Sequence, residues 1–201
     1  MHTGCRSLPN GEHHMEGKPM RVITGTARGR RLITREGEDV RPTSDRVKEA
    51  AFSIIQFEVE GRKVLDLFAG SGQMGIEALS RGAASAVFVD QSAKSVEVVR
   101  KNLETVGFEG RAQVFTTGYD AFLLSTADRF DLAFLDPPYE KGFVEKALPL
   151  LAAKMNHGGV ILCEHSEREN PPREIGGGFV LARTYRYGKI RLSVYRGGTE
   201  D

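Results

Sequence analysis

The fold is decided by the stretch Lys63-Val-Leu-Asp-Leu-Phe-Ala-Gly-Ser-Gly-Gln-Met-Gly75, in which a short apolar run leads into three glycines. The run predicts a strand that is buried on both faces of a parallel sheet, and its apolar members are Val64, Leu65, Leu67 and Phe68. Gly70, Gly72 and Gly75 allow a sharp turn and a close ligand approach, and a helical pattern follows from Gln73 to Arg81. Such a junction is where an open α/β sheet binds a nucleotide-like ligand.

Two carboxylates narrow the choice of ligand. Asp90 ends the next apolar run, 20 residues after Gly70, where it can accept hydrogen bonds from both hydroxyls of a ribose. The literal Gly-x-Gly-x-x-Gly pattern suits a nicotinamide dinucleotide, but Asp66 inside the strand is an anion that needs a cationic or donor partner. S-adenosylmethionine, with a ribose at one end and an ammonium at the other, suits both carboxylates. The structural alternative is a glycine turn that only packs a helix on a sheet.

The rest of the chain alternates apolar runs with helical patterns, which predicts a parallel sheet with helices on both faces. Further strands are expected at 86–90, 112–116, 130–135 and 160–163, with helices at 43–55, 92–106, 118–124 and 144–154. The runs 179–187 and 190–195 flank Gly188-Lys189 and predict a closing hairpin. The predicted fold class is therefore α/β, doubly wound and mostly parallel.

A second motif, Asp136-Pro137-Pro138-Tyr139, also follows an apolar strand, and right-handed connections place this strand beside the glycine strand. The prolines lack N–H donors, so carbonyls and the Asp136 carboxylate remain as acceptors. Tyr139 offers a face on which a base could stack. The motif suits a nucleobase amine, because acceptance of both N–H groups would aim the nitrogen lone pair at an electrophilic methyl group. A strand-ending turn with a structural tyrosine is the alternative.

The segment from Arg21 to Arg35 carries five arginines and no acidic residue. Its alternation predicts a β-hairpin that contacts a phosphate backbone, or else a solvated edge protected by charge. In the helix that follows, Thr43 is the predicted N-cap, and Arg46 and Lys48 fall outside the apolar stripe, on a face expected to be solvated.

Composition sets the remaining bounds. The chain has 201 residues with 28 Lys+Arg and 27 Asp+Glu, so net charge identifies no partner. Cys5 and Cys163 imply no disulfide framework, which favours a reducing cytoplasm, and no apolar run is long enough for a bilayer. Residues 1–19 are expected to be a vector leader without ordered structure, followed by a hairpin extension at 20–40 and a catalytic domain at 41–201. His157 and His165 stand alone, so we predict no metal.

Taken together, these motifs resemble a known family. Asp-Leu-Phe-Ala-Gly-Ser-Gly (66–72) with Asp-Pro-Pro-Tyr (136–139) resembles the amino methyltransferases that use S-adenosylmethionine. Arg-Pro-Thr-Ser-Asp-Arg-Val-Lys-Glu (41–49) and Gly-Ile-Glu-Ala-Leu-Ser-Arg-Gly-Ala (75–83) are similar to the bacterial 16S ribosomal RNA guanine-N2 methyltransferases of the small subunit. The resemblance extends from Met20 to Arg196 and implies a seven-stranded, Rossmann-like methyltransferase sheet.

The resemblance also implies roles for individual residues. The donor would be held by Asp66, Phe68, Gly70, Gly72, Asp90, Gln91 and Tyr119. The target guanine, flipped out of its stack, would be held by Asp136, Pro137, Pro138 and Tyr139. RNA would be met by Arg28, Arg30, Arg31, Arg41, Thr43 and Arg46.

Three positions depart from the family pattern. Gln73 replaces a small residue, and Asp90 replaces a more usual glutamate. Gly118 stands where an Asp or Asn often caps the adenine, which leaves adenine recognition to the Tyr119 backbone or Asp120.

The expected substrate is 16S ribosomal RNA within the 30S subunit or its assembly intermediate, and the expected state is a cytoplasmic monomer. Three other functions compete with this hypothesis. They are an amino methyltransferase of DNA or RNA that acts on adenine N6 or cytosine N4, a nicotinamide oxidoreductase, and a non-catalytic RNA-binding assembly factor.

Overall fold

The computed structural model describes residues 20–34 and 42–198, with the backbone alone for residues 42–45. The helices within these ranges are α1 (Pro42–Ile54), α2 (Gln73–Ser80), α3 (Ala93–Val106), α4 (Tyr119–Ser125) and α5 (Phe143–Ala152). The strands are β1 (Lys63–Leu67), β2 (Ser85–Asp90), β3 (Ala112–Thr116), β4 (Phe130–Leu135), β5 (Met155–Ser166), β6 (Phe179–Tyr187) and β7 (Ile190–Gly197). No described helix is both long enough and apolar enough to cross a membrane.

These strands form one sheet in the order β3-β2-β1-β4-β5-β7-β6. Strands β1 to β5 are parallel, and β7 runs antiparallel to both β5 and β6. The predicted doubly wound, mostly parallel fold is therefore confirmed, including the antiparallel hairpin at one edge. Because the strand order reverses between β1 and β4, a crevice opens at the carboxyl ends of these two strands.

Each face of the sheet carries its own hydrophobic core, because successive side chains of a strand point to opposite faces. Val64 of β1 belongs to the cluster that includes residues of α1, α2 and α3, whereas Leu65 and Leu67 belong to the cluster that includes α4 and α5. A Cβ at Gly75 would lie 2.3 Å from the ring of Phe88 on β2. The third glycine of the motif thus lets α2 pack directly on the sheet.

Residues 20–34, which we call the arm, form an antiparallel pair of irregular segments joined by turns. One β-bridge links Arg21 to Arg31, and the pair is held by Val22 N–H to the Arg30 carbonyl (3.0 Å) and Leu32 N–H to the Met20 carbonyl (2.9 Å). The sequence pattern predicted a full β-hairpin. The ladder is shorter because side chains of α2 and α3 bind backbone groups of the arm.

Three buried polar side chains attach the arm to the sheet domain. Glu77 of α2 accepts the N–H groups of Ile23 (2.7 Å) and Thr24 (3.0 Å). Ser80 donates its hydroxyl to the Thr24 carbonyl (2.6 Å) and accepts the Ala27 N–H (3.0 Å).

The third of these side chains, Asn102 of α3, bonds both to the arm and to the glycine loop. It accepts the Ile33 N–H (2.8 Å) and donates to the carbonyls of Ile33 (3.0 Å) and Ser71 (2.9 Å). The arm is therefore anchored at both ends, by α2 and by α3.

The expectation of a solvated Lys48 is wrong. Its residue is 2% exposed, and Nζ donates to the Arg21 carbonyl at 3.2 Å. Val47 and Ala51, which belong to the apolar stripe of the same helix, lie in the core, and Arg46 is exposed. The helical pattern alone could not show that the arm contacts this side of α1.

Replacement of Gly25 by alanine should loosen the arm. An added Cβ would lie 1.8 Å from the Ser80 carbonyl oxygen, so the turn must move away from α2. We expect a loss of about 2 kcal/mol in the free energy of unfolding, measured by urea denaturation, together with faster tryptic cleavage at the arm arginines.

Gly29→Ala is the matched control, because Gly29 has a similar positive φ (+82° against +85° for Gly25) but nothing within 4 Å of the added Cβ. Both variants place a side chain on a backbone with positive φ, and only the Gly25 variant also brings its Cβ against Ser80. Equal losses in both variants would contradict the proposed steric docking.

Candidate active site

A cavity of about 460 Å³ opens at the carboxyl ends of β1 and β4, where the two sequence motifs meet. Eight residues assigned from the sequence line it together with Ser92; they are Phe68, Gly70, Asp90, Gln91, Asp136, Pro137, Pro138 and Tyr139. An adjoining cavity of about 240 Å³ shares Phe68, Asp90 and Gln91, and adds Tyr119, Asp120 and Phe143. The glycine loop and the tetrapeptide thus face a common space.

The loop after β1 is built from left-handed backbone conformations. Phe68 has φ +70°, which is uncommon for a residue with a side chain, and Gly70 and Gly72 have φ +54° and +77°. The strand therefore ends at Leu67, one residue earlier than predicted. The Phe68 ring lines both cavities and stacks on Tyr119, with ring centroids 5.2 Å apart. A planar ligand group can pack against these aromatic side chains.

Asp90 organises this loop and also faces the cavity. Its Oδ2 accepts the Gly70 N–H at 2.9 Å, and its Oδ1 accepts the Ser92 N–H at 2.8 Å. Each carboxylate oxygen has a second lone pair, so both can still accept a ligand hydroxyl. The sequence predicted a ligand role for Asp90, and its bond to the loop backbone was not foreseen.

Asp66 and Gly72 are the two predicted donor-site residues that line neither cavity. The Asp66 residue is 4% exposed, and its Oδ2 accepts the Gly75 N–H at 2.9 Å. Burial raises the pKa of Asp66 from 3.8 to about 7; the Gly75 hydrogen bond lowers it and the charge of Asp90 raises it. The partner that this buried carboxyl required is thus a backbone N–H at the start of α2.

The acceptor side of the cavity is formed by the tetrapeptide after β4. Asp136 and Pro138 are exposed, Pro137 is buried, and Tyr139 is partly buried. The Tyr139 hydroxyl donates to Oε1 of Glu164 on β5, which fixes the position of the phenol ring.

Glu164 was missed by the sequence analysis. The residue is partly buried; burial raises its pKa, and the hydrogen bond from Tyr139 lowers it. A usable signal was present, because Glu164 directly follows the apolar run of β5 in the way that Asp136 follows β4. The rule that ligands bind at the carboxyl ends of parallel strands applies equally to all such positions.

The side chains that line the two cavities suit an adenine nucleoside that carries a positive charge. Asp90 provides acceptors for vicinal hydroxyls, and Phe68 and Tyr119 provide aromatic surface beside the 240 Å³ cavity. The carboxylates of Asp90 and Asp136 face the larger cavity from its two sides. This arrangement fits S-adenosylmethionine, whose sulfonium is cationic.

Four of the predicted RNA-contacting residues line neither cavity; they are Arg28, Arg30, Arg31 and Arg46. Arg28, Arg30 and Arg31 are exposed on the arm, and Arg46 is exposed on α1. Arg41 and the side chain of Thr43 fall outside the described residues. The RNA contact of all six residues stays a prediction.

No group of three or more His, Cys, Asp or Glu in the described ranges could hold a metal ion. His165 of β5 is buried, and its Nε2 lies 2.9 Å from the hydroxyl of Ser193 on the adjacent strand β7. Its role in this position is structural.

Comparison with known proteins shows close relatives. The family model described as conserved hypothetical protein 95 matches residues 20–196. A Bacillus subtilis protein, YlbH, named provisionally as an rRNA methyltransferase, is 38% identical over 182 residues, covering 88% of this chain and 98% of the relative. Ribosomal RNA small subunit methyltransferase D of Escherichia coli K12 is 32% identical over 186 residues, covering 92% and 93%.

Solved structures agree with these sequence matches. The Escherichia coli protein YhhF, described provisionally as a methyltransferase, superposes with a TM-score of 0.79 at 30% identity and covers 91% of this chain and 100% of its own. A hypothetical protein of Thermus thermophilus gives a TM-score of 0.74 at 27% identity, covering 87% and 98%.

The raised pKa of Asp66 should appear in the pH dependence of stability. Between about pH 4 and 7 the folded protein holds a proton that the unfolded chain releases, so folding stability should fall as pH rises through this window. Asp66→Asn keeps an acceptor for the Gly75 N–H and cannot ionise. The free energy of unfolding is measured by urea denaturation at several pH values. Between about pH 4 and 7 we expect that of wild type to fall by roughly 4 kcal/mol at most relative to that of this variant.

Glu104→Gln is the control, because Glu104 lies on the exposed side of α3 and should show no comparable trend. A stability difference between wild type and Asp66→Asn that does not change with pH would rule out a proton on the buried carboxyl.

Proposed function

Because this chain belongs to the family described as conserved hypothetical protein 95, a family of S-adenosylmethionine-dependent rRNA methyltransferases, we propose that it methylates the exocyclic N2 of a guanine in 16S ribosomal RNA. The observation that carries the proposal is the shared cavity, with the glycine loop and Asp90 on one side and the Asp136–Tyr139 tetrapeptide on the other. The substrate would be the small subunit or its assembly intermediate, as the name of the Escherichia coli relative suggests.

S-adenosylmethionine, when bound, supplies an electrophilic methyl group on a positively charged sulfur. In the proposal, Asp90 accepts the ribose hydroxyls, and Phe68 and Tyr119 pack against the adenine. Asp66 and Gly72 act behind the cavity wall, since Asp66 holds the start of α2 through Gly75 and Gly72 lies in the loop that precedes this helix.

The acceptor residues would overcome the low nucleophilicity of the guanine amine. Asp136 and the Pro137 carbonyl accept hydrogen bonds from the two N–H groups of the amine, and Tyr139 stacks against the flipped base. The nitrogen lone pair would then be directed at the methyl carbon that the donor supplies; a C–N bond would form while the C–S bond breaks, and the electron pair of the C–S bond would stay on sulfur. The Asp136 carboxylate stabilises the positive charge on nitrogen and receives the proton, directly or through water.

The arm would position the RNA. The arm carries the exposed residues Arg28, Arg30 and Arg31. Its backbone is fixed to the sheet domain by hydrogen bonds to Glu77, Ser80 and Asn102, so the three guanidinium groups extend from a fixed segment. Arginine contacts to phosphates supply affinity without sequence preference.

Membership of the family argues against a nicotinamide oxidoreductase and against a non-catalytic assembly factor. The choice between guanine N2 and the amines of adenine or cytosine depends on mapping the product.

Asp136→Ala should abolish methylation while donor binding is retained. With labelled donor and 30S particles that lack the modification, wild type should label a guanine of 16S rRNA, and the variant should lose at least about 100-fold in kcat. Calorimetry should give both proteins the same Kd for S-adenosylmethionine within about fivefold, because Asp136 is exposed and its charge adds little to the affinity for the cationic donor.

Mass spectrometry of the digested RNA identifies the modified base in the same experiment. Label on adenine or cytosine would overturn the guanine assignment. Unchanged labelling by the variant would overturn the role of Asp136.

Replacing Arg28, Arg30 and Arg31 together by alanine should weaken RNA binding without affecting the donor. If the three residues contact phosphates, the slope of log K against log salt should decrease in magnitude by about 2, measured by fluorescence anisotropy. Arg129→Ala is the control, because Arg129 is an exposed arginine outside the arm, directly before β4. An unchanged salt slope in the triple variant would show that RNA does not contact the arm.

A further inference from the structure

A small recess of about 30 Å³ lies between α1 and the carboxyl ends of β4 and β5. Its polar lining consists of Lys48, Gln73, Asp136 and Glu164. Asp136 also lines the 460 Å³ cavity, so the recess lies beside the site proposed for the target amine. Glu164 has no part in the chemistry described so far.

Strand register places Glu164 next to Asp136. Leu135 of β4 pairs with Cys163 of β5 in parallel, so the residues that follow, Asp136 and Glu164, are neighbours across adjacent strands. Such strands lie about 4.8 Å apart. Three features therefore lie side by side at the carboxyl ends of neighbouring strands: the glycine loop after β1, Asp136 after β4, and Glu164 on β5.

Glu164 retains acceptor capacity after its bond to Tyr139. The Tyr139 hydroxyl donates to Oε1, and a carboxylate has about four lone-pair sites on its two oxygens. A base that stacked on Tyr139 with its amine at Asp136 would therefore present the neighbouring ring atom to a carboxylate.

That neighbouring atom differs among the nucleobases. In guanine the 2-amine lies between N1, which carries a hydrogen, and N3, which carries a lone pair. In adenine N1, and in cytosine N3, the nitrogen next to the exocyclic amine carries a lone pair. A carboxylate accepts a hydrogen bond from the N1–H of guanine and is repelled by each of the lone pairs, so only guanine, turned with its N1 side towards the carboxylate, satisfies it.

We propose that Glu164 is a specificity-determining residue that accepts the N1–H of the target guanine and rejects adenine and cytosine. The inference rests on the proposed function, since it assumes that the amine is held at Asp136. Lys48, which lines the same recess, carries only donors, as the adjacent O6 of guanine requires.

The test pairs Glu164→Gln with a substrate in which 2-aminopurine replaces the mapped guanine in reconstituted 30S particles. 2-Aminopurine keeps the 2-amine but has a lone pair at N1. Wild type should prefer guanine by about 100-fold in kcat/KM, because the partly buried Glu164 carboxylate would otherwise face that lone pair. The glutamine amide can turn an N–H towards N1, so the preference should shrink at least tenfold in the variant. The loss of O6 in 2-aminopurine affects both proteins and cancels in this comparison.

Tyr139→Phe separates base reading from support of the phenol ring. If Glu164 only holds Tyr139, both variants should lower kcat/KM and leave the ratio between the two bases unchanged, and the proposal falls. It also falls if wild type methylates both bases equally well. Methylation of guanine by wild type tests the proposed function independently, so its failure is distinct from an unchanged ratio in Glu164→Gln.

Discussion

The site depends on two acidic side chains that hold the glycine loop and the start of α2 by backbone N–H groups. Asp90 at the end of β2 binds Gly70, and Asp66 within β1 binds Gly75. An irregular loop leaves backbone donors that need partners, and acidic side chains from neighbouring strands provide them. The loop is thereby held open towards the cavity, in a conformation that includes the left-handed Phe68. Asp90 also affects the ionisation of Asp66, because its negative charge raises the pKa of Asp66 and helps to keep a proton on that side chain.

Much of the fold could be predicted from the sequence, because its signals are local. Apolar runs and helical spacing gave the strands and helices, and Ser92, the first residue of the helix predicted at 92–106, caps α3 by accepting the Ser95 N–H. The rule that ligands bind at strand ends then brought Asp90 and Asp136 to one cavity, although their roles stay proposals. The errors concern contacts between distant segments. Lys48 is buried by an arm that ends well before it in the chain, and the missing hairpin ladder reflects bonds across 53 to 69 residues.

The motif at 75–83 shows how one helix, α2, contacts both the sheet and the arm. In the sequence it indicated the last motif glycine, a helix and a family resemblance, but no contact with the arm. In the structure Gly75 packs on Phe88 and is held by Asp66, while Glu77 and Ser80 bind the arm. Arg81 completes the arrangement by donating to Glu77 at 2.8 Å, which supplies a counter-charge to a buried carboxylate. Helix α2 is therefore the part that joins the basic arm to the strand bearing the loop.

The position of Asn102 has a thermodynamic consequence. Its single amide bonds the backbone of Ile33 in the arm and the carbonyl of Ser71 between the two loop glycines. A displacement of either segment must strain or break a bond to the other. Two ligands that each shift one of these segments cannot bind independently, and the factor by which the first alters the affinity of the second must equal the reverse factor. Reciprocal cooperativity between nucleic acid and methyl donor would then require no change elsewhere in the sheet.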